Sequence, residues 1–159
     1  MYLGNGHVKA NPLNYEGGRS LEEFVEYLNK QCLTRRTPDG ELQSEAGIFE
    51  EFGPLVRSII GSLGDKTRVK NVVEEFKKAY ESLRESQNKS PYLERGGKYY
   101  IKVAEKLAQD AEFPVREMSR LKRLLEDSTL AQPNKESMIL RYNILRTFAG
   151  TGAPQHEEL

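Results

Sequence analysis

The sequence predicts an all-α protein whose main body is a five-helix bundle, and three observations carry that prediction. From Ile48 to Ala149 apolar residues recur at spacings of three and four. Over the same span no alternating run rich in strand-favouring residues lasts long enough to compete. Helix punctuation matches: Pro54, Pro91, Pro114 and Pro133 stand where helices begin, and Gly64 and Gly150 where they end.

Taken in order, the chain opens with a Gly- and Asn-rich stretch, a short segment Pro12-Leu13-Asn14-Tyr15-Glu16 and the turn Gly17-Gly18. An amphipathic helix follows. Ser20 is its N-cap, Glu23 three positions on completes a capping box, and Leu21, Phe24, Val25 and Leu28 supply the stripe to be buried. Residues 34–47 read as a linker, with Thr34-Arg35-Arg36-Thr37-Pro38-Asp39-Gly40 offering turn chemistry and charge but little to bury.

The first bundle helix starts near Pro54 and buries Leu55, Val56, Ile59, Ile60 and Leu63. In the second, from about Thr67 to Gln87, Val69, Val72, Phe76, Tyr80 and Leu83 line one face and Val73 widens it. The third opens at Ser90-Pro91 and draws its core from Tyr92, Tyr99, Tyr100, Val103, Leu107 and Ala111. Gly96-Gly97 lies inside it. Two adjacent glycines cost a helix on the order of 2 kcal/mol against alanines, so that helix is either kinked there or closely approached by another backbone. The fourth follows Pro114 and carries Met118, Leu121, Leu124 and Leu125; the fifth starts near Pro133 and turns Met138, Tyr142, Leu145 and Phe148 inward.

Composition excludes several classes of function. The 24 acidic and 24 basic residues of the 159-residue chain cancel, leaving no net field to draw in nucleic acid. Arg120, Lys122 and Arg123 form the densest basic cluster and read as a solvated helix face. No apolar run approaches the length of a membrane span, so no membrane insertion is expected. The single cysteine, Cys32, excludes a Cys-x-x-Cys pair, an internal disulfide and a cysteine-based zinc site; its place at a helix end suits a small half-buried residue. The two histidines, His7 and His156, lie at loose ends where nothing orients an imidazole toward a nucleophile. Glu22-Glu23, Glu50-Glu51 and Glu74-Glu75 are adjacent pairs that point about a hundred degrees apart on a helix, too far to act on one site. Catalytic residues, metal ligands and cofactors are therefore all expected to be none.

The tail His156-Glu157-Glu158-Leu159 has the pattern of a basic residue, two acids and a terminal leucine, which is a retrieval signal for the lumen of the endoplasmic reticulum. Gly150-Thr151-Gly152-Ala153-Pro154 would present it to a receptor. The segment Met1 to Lys9 contains no apolar signal stretch, so the chain is expected to be a piece of a longer protein.

The run from Tyr15 to Asn29 resembles the final strand and terminal helix of a thioredoxin-like module of the protein disulfide-isomerase family, and Tyr2-Leu3-Gly4-Asn5-Gly6 is similar to the turn before that strand. From about Glu45 to Leu159 the chain resembles the C-terminal helical D domain that ends one branch of this family and the related Windbeutel-type lumenal chaperones. Tyr99-Tyr100-Ile101-Lys102-Val103, Asp110-Ala111-Glu112-Phe113-Pro114 and Asn143-Ile144-Leu145-Arg146-Thr147-Phe148 carry that likeness. The resemblance implies a remnant strand and terminal helix over 1–33, a linker over 34–47, the helical domain over 48–150 and a flexible tail with the signal over 151–159.

It also implies a non-catalytic lumenal domain that assists secretory-protein folding by touching unfolded clients or partner proteins. Phe49, Phe52 and Tyr99 are the candidate contact residues, provided that they are exposed. Thiol-disulfide exchange belongs by this reading to the longer parent, since the family's redox cysteines have no counterpart here. The alternatives are disulfide-isomerase activity in the chain itself, a cytosolic helical adaptor with a coincidental tail, or a structural role as spacer or homodimerisation domain.

Overall fold

The computed structural model of the chain describes residues 14–86, 90–127 and 129–150. Six α-helices follow one another: α1 (Leu21–Cys32), α2 (Gly53–Gly61), α3 (Lys66–Glu85), α4 (Leu93–Leu107), α5 (Phe113–Leu125) and α6 (Gln132–Phe148), with a 3-10 turn at Glu50–Phe52 leading into α2. Helices α2 to α6 are the expected five-helix bundle. Among the described residues there is no strand, and the one extended pairing is the bridge between Arg36 and Leu42. The expected remnant strand is not formed at Asn14, Tyr15 and Glu16, and its earlier residues lie outside the described ones. A lone strand has no ladder to join.

Local chemistry accounts for the helix ends. In α1 the Glu23 amide donates to Ser20 Oγ at 3.2 Å and the Ser20 amide to Glu23 Oε2 at 3.1 Å, so the capping box is complete. Asp65 caps α3 by accepting from the amides of Thr67 and Arg68 at 3.0 and 3.1 Å. Pro54, Pro114 and Pro133 sit in the first turns of α2, α5 and α6, where the missing N–H costs nothing. The chain leaves α2 and α6 through Gly64 and Gly150, both with positive φ.

Packing centres on α4 and α6. Helix α6 lies against α2, α4 and α5, while α4 also contacts α3 and α5. Their shared core is aromatic. Tyr100 of α4 stands 4.5 Å from Phe52, 5.7 Å from Phe148 and 6.3 Å from Phe76, ring centroid to centroid, with Phe49 at its edge at 6.4 Å. Four segments distant in sequence thus meet on one tyrosine. Each large apolar side chain so enclosed contributes roughly 1.5–3 kcal/mol of transfer free energy.

The glycine pair is resolved in favour of close approach: α4 runs unbroken through Gly96 and Gly97. A Cβ on Gly96 would lie 3.1 Å from Phe49 Cε2 and 3.4 Å from the Gly47 carbonyl oxygen, and one on Gly97 would fall 2.7 Å from Tyr80 Cε2. The glycines therefore admit the Gly47 carbonyl and the Phe49 ring on one side and the Tyr80 ring on the other.

Several expected core residues emerge on the surface. Leu21 and Phe24 of α1 are exposed, as are Ile60, Leu63, Ala111 and Leu124. Among the described residues helix α1 makes no extended contact with the bundle, and Phe24 stacks on Tyr15 at 4.7 Å. Conversely α6 buries Leu140, Asn143 and Ile144, which a one-sided stripe does not anticipate, because neighbours on several sides cover a wider arc of it.

Residues 34–47 also depart from the reading of a linker with little to bury, since they form a strap pinned at both ends. Asn29 Oδ1 accepts from the Arg36 amide at 2.9 Å and from Thr34 Oγ1 at 2.8 Å, while its Nδ2 donates to the Arg36 carbonyl at 2.8 Å. Arg36 reaches Glu136 of α6 through two bonds of 3.0 and 3.2 Å. The Arg35 amide donates to the Tyr92 hydroxyl at 3.1 Å, and Ala46 is fully buried. Buried Asn143 Nδ2 closes the strap onto α6 by donating to the carbonyls of Gln43 and Ala46, both at 3.1 Å.

Three substitutions test this packing by urea denaturation. Gly97→Ala is expected to destabilise by about 1–3 kcal/mol as the Tyr80 ring is forced aside, whereas Gly96→Ala, meeting half-buried Phe49, changes stability by less than about 1 kcal/mol. Asn143→Ala takes one donor from the Gln43 carbonyl, which keeps the Ala46 amide, and removes the Asn143 donor from the Ala46 carbonyl, and is expected to cost about 1–3 kcal/mol.

Candidate functional site

Helix α4 turns two different faces outward and inward. Leu93, Gly97, Tyr100 and Ala104 are buried, while Arg95, Lys98 and Lys102, spaced three and four apart, line an exposed edge. Opposite that edge α6 presents Ser137, Leu140, Arg141 and Ile144. Between the helices runs a groove of about 380 Å³, with Leu140, Ile144 and Tyr99 as its apolar floor.

Charge around the groove is unbalanced. Four cations, Arg95, Lys98, Lys102 and Arg141, line it against one carboxylate, Glu94. Glu94 is already committed: Lys98 donates to it, and so does the Tyr80 hydroxyl at 3.0 Å. Those two bonds, the Lys98 one foremost, hold its carboxyl below the usual glutamate range. The nearest further carboxylates are committed as well. Glu117 is gripped by Arg120 at 2.7 and 2.6 Å and Glu136 by Arg36, and in each case the arginine hydrogen bond is the main cause of a lowered pKa. Arg95, Lys102 and Arg141 consequently form no ion pair within 4.0 Å among the described residues.

Tyr99 is the unusual member of the floor. Only 8% exposed, it carries the Arg141 guanidinium 5.6 Å from its ring centroid. Its hydroxyl is buried with no hydrogen-bond partner, the one such side-chain atom among the described residues. Burial pushes its pKa up to about 12, with Glu117 adding to the rise and Arg141 and Arg120 opposing it. Tyr100 is likewise pushed up to about 12 by burial, but hydrogen bonds with Thr147 and the Phe49 backbone pull against that.

The residues singled out from the sequence are not brought together on a free surface. Phe52 has no exposure and Tyr99 very little, so the expectation that both stand out as apolar contacts is corrected: the aromatic core claims the first and the α4–α6 contact encloses the second. Phe49 is half-buried, edge-on to Phe52 at 5.9 Å, and opens onto a second hollow of about 260 Å³ near Glu45, Glu50 and Glu51. His156, Glu157, Glu158 and Leu159 lie outside the described residues. Cys32 is half-buried at the last position of α1. The cations of the groove escaped the sequence reading. The spacing of Arg95, Lys98 and Lys102 is a legible signal of one charged helix face, but nothing local announces that Arg141 joins them.

No group of three or more His, Cys, Asp and Glu that could hold a metal comes together among the described residues. No described helix is long and apolar enough to cross a membrane. What the groove can do is hold an anionic group against an apolar floor.

Comparison with known proteins adds the lineage. The sequence model for the C-terminal domain of endoplasmic reticulum protein ERp29 matches residues 47–148. The chain is similar to protein disulfide-isomerase tigA of Aspergillus niger, 32% identical over 158 residues, which cover 99% of this chain and 39% of that protein. Protein disulfide isomerase-like 2-1 of Oryza sativa subsp. japonica is 34% identical over 137 residues, covering 86% of the chain and 35% of the rice protein. Protein disulfide-isomerase erp38 of Neurospora crassa is 30% identical over 149 residues, or 94% and 38% of the two chains. The chain therefore spans less than two-fifths of these curated relatives. No solved structure gave a significant match.

The tyrosines provide a pH test. Alkaline titration followed by phenolate absorbance should find Tyr99 and Tyr100 ionising last, near pH 12, with Tyr99→Phe removing one late equivalent. Since both pKa values are raised above the ordinary tyrosine value of 10.0, the unfolded chain releases these protons first. Their contribution to stability is thus whole below about pH 10 and lost on rising toward about pH 12, which denaturation across that range would read.

Proposed function

The chain belongs to the family of the C-terminal domain of endoplasmic reticulum protein ERp29, and from that premise we propose that it is the non-catalytic helical domain of a longer disulfide-isomerase-family protein, assisting secretory-protein folding by binding clients or partners. The observation that carries this reading is the joint one of a family match over the helical domain and a single cysteine in the whole chain. Disulfide reduction by a foldase needs an attacking thiolate and a second thiol to resolve the mixed disulfide, and Cys32 has no partner to play the second part. Isomerase activity is accordingly assigned to the longer parent, as the names of the curated relatives support.

The lumen of the endoplasmic reticulum is the proposed compartment. The relatives' names and the tail His156-Glu157-Glu158-Leu159 support it, with a retrieval receptor as the partner of that tail. Residues 1–33 are proposed as the remnant of a thioredoxin-like module, 34–47 as the strap, 48–150 as the helical domain and 151–159 as the tail.

With Phe52 and Tyr99 enclosed, the motive for client binding moves to other surfaces. Leu21 and Phe24, 58% and 42% exposed, leave an uncovered apolar face on α1, and the basic groove of α4 and α6 offers a polar one. A spacer role is the second reading. It is favoured by the strap, whose bonds from Asn29 through Arg36 to Glu136 tie the end of α1 to α6.

Two assays decide between binding and chemistry. Insulin reduction by the purified chain should stay at the background rate, and turnover above it would overturn the non-catalytic assignment. Light scattering from a reduced, denaturing client such as lysozyme should fall when the chain is added in stoichiometric amounts; unchanged scattering would remove the client-binding role.

A further inference from the structure

We propose that the hollow bordered by Phe49 receives a basic, partly apolar segment of an unfolded client, an arginine or lysine flanked by large apolar side chains. The inference deepens the client-binding role proposed above and rests on it. None of the residues around this hollow of about 260 Å³ belongs to the α4–α6 groove. Pockets that enclose a free small molecule run to about 300–1,000 Å³, so the smaller volume suits side chains of a passing segment.

Apolar side chains form its walls. Phe49 and Leu83 are half-buried, packing against the aromatic core on one side and bordering the hollow on the other. Ile48 and Leu33 are half-buried too, and they border it without joining that core. The backbone of Leu33 adds an independent sign: with φ at 53° it is left-handed, a conformation that favours glycine at a helix end, yet a leucine stands there and lines the hollow.

Charge decides the occupant. Glu45, Glu50 and Glu51 line the hollow against one cation, Arg35. Glu45 accepts from Ser44 Oγ at 2.8 Å and Arg35 donates to the Thr34 carbonyl at 3.3 Å, but none of the four enters an ion pair within 4.0 Å among the described residues. Were Arg35 to turn to one carboxylate, two would remain. A lysine or arginine matches such a place, because its methylene stem lies along apolar surface while its charged head reaches a carboxylate. Unfolded chains expose the apolar neighbours that the walls would cover, and folded surfaces mostly do not.

The test is fluorescence anisotropy of a fluorescein-labelled peptide alternating arginine with leucine, titrated with the full 159-residue chain. Glu50→Lys combined with Glu51→Lys should lower affinity on the order of tenfold or more. Glu75→Lys with Glu126→Lys makes the same change of charge on exposed positions outside the hollow and should leave affinity unchanged. A peptide alternating arginine with serine should bind several times more weakly. Ile48→Ser should bring the leucine peptide down toward that level while the circular dichroism spectrum stays that of the parent chain.

Absence of peptide binding overturns the proposal, as does an equal loss in both charge-reversed pairs, which would mean attraction by overall charge alone. Equal affinity for the two peptides also overturns it, since the apolar walls would then have no part. Binding that appears only after residues 1–13 are deleted overturns it by making the chain's own Val8-Lys9 segment the occupant. A dimer in sedimentation velocity that Glu50→Lys with Glu51→Lys abolishes overturns it in favour of a second copy of the chain. Suppression of lysozyme aggregation measured on the same samples separates the two levels: its persistence without peptide binding sinks the hollow and leaves the client-binding role standing.

Discussion

The fold depends on one dense aromatic contact. Tyr100 occupies the point where the 3-10 turn before α2, the middle of α3 and the end of α6 converge, and its neighbours Phe52, Phe76 and Phe148 are each supplied by a different one of them. Large flat side chains confer much burial for little lost rotamer freedom, so a single cluster can close a bundle of short helices. Beside this cluster α4 gives up side chains at Gly96 and Gly97. Phe49 and Tyr80 occupy the space that two Cβ atoms would take, and the helix-propensity cost of the glycines is offset by that packing.

A second, polar system fixes the chain that precedes the bundle. Asn29 and Asn143 are the two buried polar side chains of the described structure, and each satisfies backbone groups of the same strap. Their geometry gives residues 34–47 a defined course across α6, where composition alone indicates a loose connection. The amide side chain suits this task because it both donates and accepts, matching a strap that exposes unpaired N–H and C=O groups side by side. Arg36 extends the network to Glu136 and makes the strap continuous with one wall of the groove.

The groove shows how a charged surface arises from what packing leaves over. Helix α4 commits one face to the core and so must carry its charges on the other, and α6 is wide enough in its contacts to offer Arg141 beside them. Neighbouring arginines consume the nearby carboxylates, and the field of Arg95, Lys102 and Arg141 stays open. The zero net charge of the whole chain conceals this, since balance over a sequence says nothing about balance over a surface.

The all-α class, the five bundle helices, the capping box at Ser20 and the core face of α3 were legible in the sequence. They rest on spacing within one helix or on chemistry within one turn, as with Val69, Val72, Phe76 and Tyr80, and local order records them fully. Lack of a second thiol was equally plain. Tertiary structure alone decided that Phe52 and Tyr99 lie inside, that Leu21 and Phe24 lie outside, and that Arg141 stands beside Lys102. An apolar residue is buried only if another element arrives to cover it, and a charge is free only if no distant partner reaches it. Both conditions concern neighbours far away in the chain, which periodicity cannot encode.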